Sequence, residues 1–262
     1  MYGGNQRDRE RERESKSKDM ATISEYIKFM PNLLDFENKR IYFKKELKKM
    51  KRSVNARPLV LMIRRKEIFM DAYSQLHYLS PNELKGKITI EFSGERGQDV
   101  GGLTRDFFID LSREMFNQNF GLFKHSDNGS SYMPNPKSYV QSDHLSFFKF
   151  IGRVIGKALL ENCNLECYFV RSMYKMMIGQ KLNFKDLEDY DNNLFNGLDW
   201  CLKPGNDVAA LYECFSTSLD FFGKTEEIDL IPDGRNIDVT DENKELYCER
   251  KAYYHLYKEC QK

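Results

Sequence analysis

The spacing of apolar residues along the chain predicts a mainly helical fold. Between Leu145 and Leu160, apolar side chains return every three or four residues, which places them on one face of a helix. This face consists of Phe147, Phe150, Ile151, Val154, Ile155, Ala158 and Leu159. Weaker repeats of the same kind predict helices over residues 23–52 with a break near Pro31, over 60–79, over 169–178, in short pieces within 183–201, and from an N-cap at Thr240 toward Lys258.

One stretch, residues 88–123, changes its period and so predicts a strand, a turn and a helix in succession. Apolar residues at every second position of Ile88–Phe92 predict a half-buried strand. Glycines at positions 94, 97, 101 and 102 then predict a turn. From Leu103 to Met115 an apolar residue recurs every four positions, which predicts a helix.

The glycine turn lacks the spacing of a phosphate-binding loop. A P-loop carries Lys and then Ser or Thr directly after its last glycine, whereas Gly102 is followed by Leu103 and Thr104. The glycines also do not follow the G-x-G-x-x-G spacing of a dinucleotide-binding turn. We therefore expect them only to let the backbone turn where side chains would clash, and we predict no cofactor.

Shorter patterns add a few strands to this helical picture. Residues 126–142 are rich in Ser, Asn, Pro and Gly and predict turns around short strands. Residues 211–216 and 226–230 are further candidate strands. The chain is therefore expected to be α+β and mainly helical, with a small α+β subdomain over residues 183–248 inserted near the end of a larger helical one.

Composition and charge narrow the classes of function. A length of 262 residues is enough for one or two domains, and a hydrophobic content of 40% is enough for a core. The net charge of +1 gives no overall attraction to nucleic acid or membrane. No apolar run approaches the length of a membrane span, and the chain does not begin with an apolar signal segment. We therefore expect a cytoplasmic or nuclear protein, no membrane partner, and six reduced cysteines.

The charged N-terminal part supports two interpretations. Residues 1–19 alternate in charge and lack apolar residues after Tyr2, so we expect a disordered charged tail. Residues 20–56 are predicted to form leading amphipathic helices, and lysines concentrated in residues 44–52 could bind nucleic acid or another polyanion. Glu37 and Glu46 interrupt this basic field, which favours a helix that packs on a globular body with its lysines in water.

The six cysteines do not form a recognisable metal motif. Three residues separate Cys163 from Cys167, and four separate His255 from Cys260. Structural zinc sites prefer tightly spaced ligands in two matched pairs. The spacing favours buried reduced thiols, and we predict no metal site.

Three sequence blocks carry a resemblance to a known family. They are GQDVGGLTRD at 97–106 with SREMFN at 112–117, HLSFFKFIGRVIGKA at 144–158, and ECYFVRSMYK at 166–175. In this order and spacing they resemble the N-terminal lobe of HECT-type E3 ubiquitin-protein ligases. The resemblance covers roughly residues 57–258, and residues 34–50 resemble the helix that precedes the lobe in the large Mule-type members.

The resemblance implies a bilobed HECT fold and a two-step transfer. Family members take ubiquitin from an E2 ubiquitin-conjugating enzyme onto a cysteine as a thioester, and then pass it to substrate lysines. That cysteine lies in a separate C-terminal lobe, in a Thr-Cys-Phe context that none of the six cysteines has. We therefore expect no catalytic residue in this chain, no activity of the chain alone, and substrates chosen by regions outside it.

The same resemblance assigns a role to each part of the chain. Residues 57–182 would be the large subdomain of the N-terminal lobe, and residues 183–248 the small E2-binding subdomain. Residues 249–262 would be a C-terminal helix that leads to a hinge and to a catalytic lobe absent from this chain.

Partner-binding positions follow from the matched residues. In the family, the positions of Leu194, Leu198, Leu211 and Tyr247 help to form an exposed apolar groove that receives a loop phenylalanine of the E2, and Trp200 lies beside them. The chain departs from the family pattern at Lys203-Pro204, where acidic residues are common, and at Glu213 and Lys251, where apolar or aromatic residues are common. A second site, for ubiquitin itself, would match Phe120 and Phe222. An apolar stripe at helical spacing is also typical of a core, so packing in the core is the alternative interpretation of these two aromatic residues and of the groove positions.

Overall fold

A computed structural model describes residues 26–27, 29–52, 56–95, 101–127, 129–221 and 224–258. The predictions for the tail at 1–19, for Gly97 in the glycine turn, and for Phe222 and Cys260 concern residues outside these ranges.

Helices account for most of the regular structure in these ranges. The helices are α1 (Phe36–Arg52), α2 (Ile68–Leu76), α3 (Gly102–Met115), α4 (His144–Glu161), α5 (Arg171–Met177), α6 (Leu187–Tyr190), α7 (Asn192–Leu202) and α8 (Lys244–Tyr253). The strands are β1 (Leu59–Ile63), β2 (Ile88–Phe92), β3 (Phe123–His125), β4 (Tyr132–Pro134), β5 (Ser216–Phe221) and β6 (Lys224–Asp229). They form two-stranded sheets, parallel for β1–β2 and antiparallel for β3–β4 and β5–β6. The predicted α+β, mainly helical class is confirmed.

The predicted helix over residues 60–79 is wrong in its first part. Leu59–Ile63 form strand β1, which pairs in parallel with β2, and α2 begins only at Ile68. Leu61 and Ile63 are buried whereas Val60 and Met62 are more than half exposed, which is the alternation of a strand. All five residues of β1 are apolar, so this alternation is invisible in the sequence, and pairing with the distant β2 decides the structure.

Two smaller predictions in the last third of the chain are also wrong. The candidate strand over 211–216 is instead the end of a 3-10 turn, Ala209–Leu211, followed by Tyr212 in a left-handed conformation, and β5 starts at Ser216. Helix α8 begins at Lys244 rather than after Thr240, because residues 241–243 form a turn. The Asn243 side chain closes that turn by accepting a hydrogen bond from the Thr240 N–H, at 2.8 Å.

Buried apolar side chains form two separate cores. The first core joins β1, β2, α2, α3 and α4 and includes Ile63, Leu111 and Phe150, which are fully buried. The second core joins α6, α7, α8 and the segments between them through Leu187, Leu198, Val208, Phe215, Val239 and Tyr247. Each core can therefore hold its own group of helices. The residue boundaries predicted for the two subdomains stay a prediction.

A buried lysine connects the leading helix to the first core. The Lys157 side chain is 1% exposed, and its ammonium donates to the Gly86 carbonyl and, at 2.6 Å, to Glu161 Oε1. The other carboxylate oxygen of Glu161 accepts from Lys51 on α1 at 2.9 Å. Burial opposes ionisation of Glu161, but the hydrogen bonds from the two lysines outweigh it, so the pKa of this carboxyl is lowered. Helix α1 has no buried residue, and this ion pair is one of the contacts between it and α4.

We expect Gly86→Ala to lower the free energy of unfolding by about 1–3 kcal/mol, because a Cβ at this position would lie 2.0 Å from the Arg57 carbonyl oxygen. Gly156→Ala is the matched control, since its Cβ would meet no atom within 4 Å and alanine favours the helix by about 0.5–1 kcal/mol. Urea unfolding measures both. Equal effects of the two substitutions would show that the close approach at Gly86 carries no energy.

We also expect Glu161 to make stability depend on pH. A carboxyl whose pKa is lowered by folding contributes stability above its unfolded value of 4.5, and this contribution is lost as the pH falls through the lower folded value. Wild-type protein should therefore lose stability below pH 4.5 more steeply than Glu161→Gln, which lacks the titrating group. Glu249→Gln, which removes an exposed carboxylate, is the control in urea titrations across this range. Parallel pH profiles for wild type and Glu161→Gln would contradict the assignment.

Candidate functional site

The predicted residues on α7 divide between the core and the surface. Leu198 and Cys201 are 3% and 5% exposed and belong to the second core, and Leu194 is half-buried beside them. Gly197 lies on the same side of the helix and is exposed. Trp200 is 40% exposed. It follows Leu198 by two residues, and this spacing places the two side chains on roughly opposite sides of the helix. The prediction that Trp200 lies beside Leu194 and Leu198 is therefore wrong, because its side chain is on another side of α7.

Tyr247 on α8 is the most deeply buried of the predicted site residues. Its side chain is 2% exposed, and its ring packs edge-on against Phe215 with 5.5 Å between centroids. Its hydroxyl donates to Glu213 Oε2 at 2.9 Å and accepts from the Lys251 ammonium at 2.5 Å. Burial, reinforced by the Glu213 carboxylate, raises the pKa of Tyr247 far above its usual range, so the phenol stays neutral and keeps donating.

Glu213 and Lys251 replace apolar positions of the family pattern and pair with each other. The Lys251 ammonium lies 3.5 Å from Glu213 Oε2 and 5.0 Å from the centre of the Tyr247 ring. The two charged side chains are 38 residues apart in the chain, so the sequence alone shows two separate departures from the family pattern and not a pair. Together with the tyrosine hydroxyl they form one hydrogen-bonded group, which we call the Tyr247 triad.

The most exposed apolar residues of this region lie on the segment just before the triad carboxylate. Leu211 is 45% exposed and Tyr212 is 92% exposed. Tyr212 has a φ of 53°, a left-handed conformation that is uncommon for an aromatic residue. The adjoining Val208 is fully buried and its carbonyl accepts from the Leu211 N–H at 3.1 Å, so the segment is anchored. We call Leu211, Tyr212 and Glu213 the outer surface.

Sequence reasoning missed Tyr212. No residue type near it indicates the left-handed conformation. A strand over 211–216, as predicted, would not indicate whether the Tyr212 side chain points to the core or to solvent. Tyrosine is one of the residue types that are enriched among the residues that contribute most to binding at protein interfaces.

The turn that follows α7 is held by local polar contacts. Asn206 Nδ2 donates to the Trp200 carbonyl at 2.7 Å, and Gly205 has the positive φ of 86° that the turn requires. Lys203 stands where acidic residues are common in the family, and it pairs with Asp199 at 2.9 Å. The exposed lysine therefore adds little net positive charge to this edge.

Four of the described cysteines, Cys167, Cys201, Cys214 and Cys248, do not resemble activated nucleophiles. Cys201 and Cys248 are buried between α7 and α8, and the Cys248 thiol donates to the Leu198 carbonyl at 3.6 Å. Burial and the neighbouring Cys201 raise the pKa of Cys248 to about 12, and burial raises that of Cys167 to about 11. Burial also raises the pKa of Cys201 and Cys214. Protonated thiols are poor nucleophiles, because the thiolate is the attacking species.

Neither metal nor membrane chemistry has a visible site in the described ranges. Within them, no three His, Cys, Asp or Glu side chains are arranged to hold a metal ion. Among the same residues, none of the helices combines the length and the apolar character that a membrane span needs.

The second predicted site, at Phe120, falls on a packing residue. Phe120 is half-buried, and its ring centroid lies 4.6 Å from that of Phe69 and 5.5 Å from that of Phe147. Phe120 therefore supports the first core, and its contact with ubiquitin stays a prediction.

The basic helix proposed for polyanions uses several of its lysines within the protein. Lys44, Lys48 and Lys51 lie on the side of α1 that faces the C-terminal end of α4, with Leu47 between them. Lys51 pairs with Glu161, and Lys49 pairs with Glu46 at 2.6 Å. This arrangement agrees with a helix that packs on the lobe, as the interrupted charge pattern favours.

Comparison with known proteins assigns the family. The HECT-domain (ubiquitin-transferase) family model matches residues 109–262. E3 ubiquitin-protein ligase HUWE1 of Mus musculus is 42% identical over 239 residues, which cover 90% of this chain and 5% of that protein. The TOM1-like E3 ubiquitin-protein ligase of Neurospora crassa is 44% identical over 222 residues, or 83% of this chain and 5% of that protein.

A yeast relative agrees with these two. E3 ubiquitin-protein ligase TOM1 of Saccharomyces cerevisiae is 39% identical over 230 residues, which cover 86% of this chain and 7% of that protein. The chain thus spans 5–7% of the length of these curated relatives. The family match and the identity over most of the chain confirm the resemblance carried by the three sequence blocks: the chain belongs to the HECT-domain family of ubiquitin transferases.

Proposed function

We propose that this chain recruits a ubiquitin-loaded E2 enzyme through the outer surface, as the E2-binding part of a HECT E3 ubiquitin ligase. The observation that carries the proposal is the pair of exposed apolar side chains, Leu211 and Tyr212, held above a rigid second core. A few exposed anchors on a well-packed support suit a partner that must bind and leave in each cycle.

In this proposal two of the predicted groove residues support the surface rather than contact the E2. Leu198 and Tyr247 are almost fully buried, so they fix the positions of α7 and of Glu213. Leu194 and Gly197, which are more accessible, complete the contact area along α7. Residues 183–248 would then be the E2-binding subdomain, and residues 57–182 the scaffold that carries it.

The chemical contribution of such a domain is positioning. Holding E2 and ligase in one assembly turns the transfer of ubiquitin into an intramolecular step. The acceptor cysteine would lie outside these residues, because none of the six cysteines has the Thr-Cys-Phe context and those with raised pKa values stay protonated. Ubiquitin would pass from that cysteine to lysines of substrates selected by other regions of the protein, in the cytoplasm or nucleus.

Leu211→Asp should weaken the binding of responsive E2 enzymes by at least about tenfold, because it places a charge in the centre of the apolar contact. Stability should change little, since Leu211 is 45% exposed. Leu145→Asp, at a leucine of α4 that is 68% exposed, is the matched control. Calorimetric titration of the three proteins against a panel of E2 enzymes measures the effect, and thermal melts verify folding.

The E2 proposal would be wrong if wild-type protein bound no E2, or if Leu211→Asp bound as tightly as wild type. Leu198→Asp is a poor substitute for this test. It would bury a charge in the second core, and loss of binding would then report unfolding.

We also expect no ubiquitin thioester on this chain. In a reaction with activating enzyme, E2, ubiquitin and ATP, a non-reducing gel should show the reducible adduct on the E2 but none on this protein. A reducible adduct on this chain that disappears in one Cys→Ser variant would identify a catalytic cysteine here and overturn the positioning role.

A further inference from the structure

The Tyr247 triad places two charged groups, Glu213 and Lys251, at positions where the family pattern has apolar or aromatic residues. Leu198 and Cys201 are 3% and 5% exposed although α7 lies at the edge of the second core. An incoming partner therefore meets polar groups of the triad where the family pattern would offer an apolar surface.

The carboxylate of the triad has an unused oxygen. The Tyr247 hydroxyl and the Lys251 ammonium both contact Oε2 of Glu213. Within the described ranges, Oε1 of Glu213 accepts no hydrogen bond. The Glu213 side chain is 46% exposed and that of Lys251 is 16% exposed, so the carboxylate is the charge that faces solvent.

The position of this carboxylate is fixed by its backbone and its neighbours. The Glu213 carbonyl accepts from the Val239 N–H at 2.8 Å, and the next residue, Cys214, forms a β-bridge with Asp238. Asp238 is exposed, and its carboxylate accepts from the Cys214 thiol at 3.7 Å. The backbone at Glu213 and Cys214 is thus held in place, and the Glu213 carboxylate, which is more exposed than the ammonium of Lys251 paired with it, presents negative charge at the outer surface.

We propose that Glu213 selects E2 enzymes by accepting, through Oε1, a hydrogen bond from a lysine or arginine of the E2. This inference rests on the proposed E2 docking and adds the chemistry of the partner. The E2 presents a basic side chain next to the apolar group that covers Leu211 and Tyr212. An E2 with an acidic residue at that point is rejected by like charge.

The test uses isosteric substitutions and a control of equal charge. Glu213→Gln removes the charge and keeps the shape of the side chain. It should weaken binding to the E2 that wild type binds most tightly by about tenfold or more. Glu249→Gln removes the same charge from the other side of α8, where Glu249 lines a separate cleft of about 310 Å³ with Leu182 and Phe184, and it should have no effect. Thermal melts of both variants report folding.

The dependence of the binding affinity on salt gives a second measurement, and a loss of packing would not change this dependence. Affinity of wild type should fall as NaCl rises from about 50 to 300 mM, and Glu213→Gln should show a shallower fall, because one charge pair is missing. Lys251→Met should strengthen binding to the same E2, because the Glu213 carboxylate then no longer pairs with the Lys251 ammonium and its charge is fully available to the E2.

A charge exchange identifies the partner residue. Each exposed Lys or Arg in the docking region of that E2 is changed to Glu, and the variant that loses binding is titrated against Glu213→Lys. Recovery of affinity in this pair supports the direct contact. Equal losses for Glu213→Gln and Glu249→Gln, or no loss for either while Leu211→Asp still abolishes binding, would overturn the inference and leave E2 docking intact. Failure of wild type to bind any E2 would remove both.

Discussion

The hydroxyl group of Tyr247 is the contact on which the candidate site depends. Its ring lies inside the second core against Phe215, and its oxygen leaves the core to join Glu213 and Lys251. Tyr247 of α8 therefore holds the carboxylate end of the outer surface, and the buried Val208 anchors the segment just before Leu211 and Tyr212. Because the phenol is buried and remains neutral, it can donate to the carboxylate at any physiological pH. A flexible surface would have to be ordered at each binding event, which costs conformational entropy, whereas an anchored surface avoids this cost.

The two cores divide the support of the structure, and the proposed docking surface is built on the second of them. The first core holds the parallel β1–β2 pair and the long helices, and the Lys157–Glu161–Lys51 ion pairs attach α1 to it. The second core is smaller and carries the outer surface on its own.

Much of the first core follows from the sequence, and less of the site does. The repeats in β2, α3 and α4 appear directly as apolar periods, and the three sequence blocks identify the family. Strand β1 was missed because five consecutive apolar residues carry no period, so only its pairing with β2 makes it a strand. Leu198 and Tyr247 have the same apolar spacing whether they line a groove or fill a core. The Glu213–Lys251 contact joins residues too far apart in the chain for any local pattern to indicate it.

The most direct test of the central claim is hydrogen–deuterium exchange of this chain with and without a bound E2. If the second core supports the docking surface, protection should appear in residues 209–215 and around 194–197 of α7, with exchange unchanged in β1, β2 and α1. Protection confined to α1 or to the first core, with none at residues 209–215, would show that an E2 binds elsewhere and would contradict the assignment of the site.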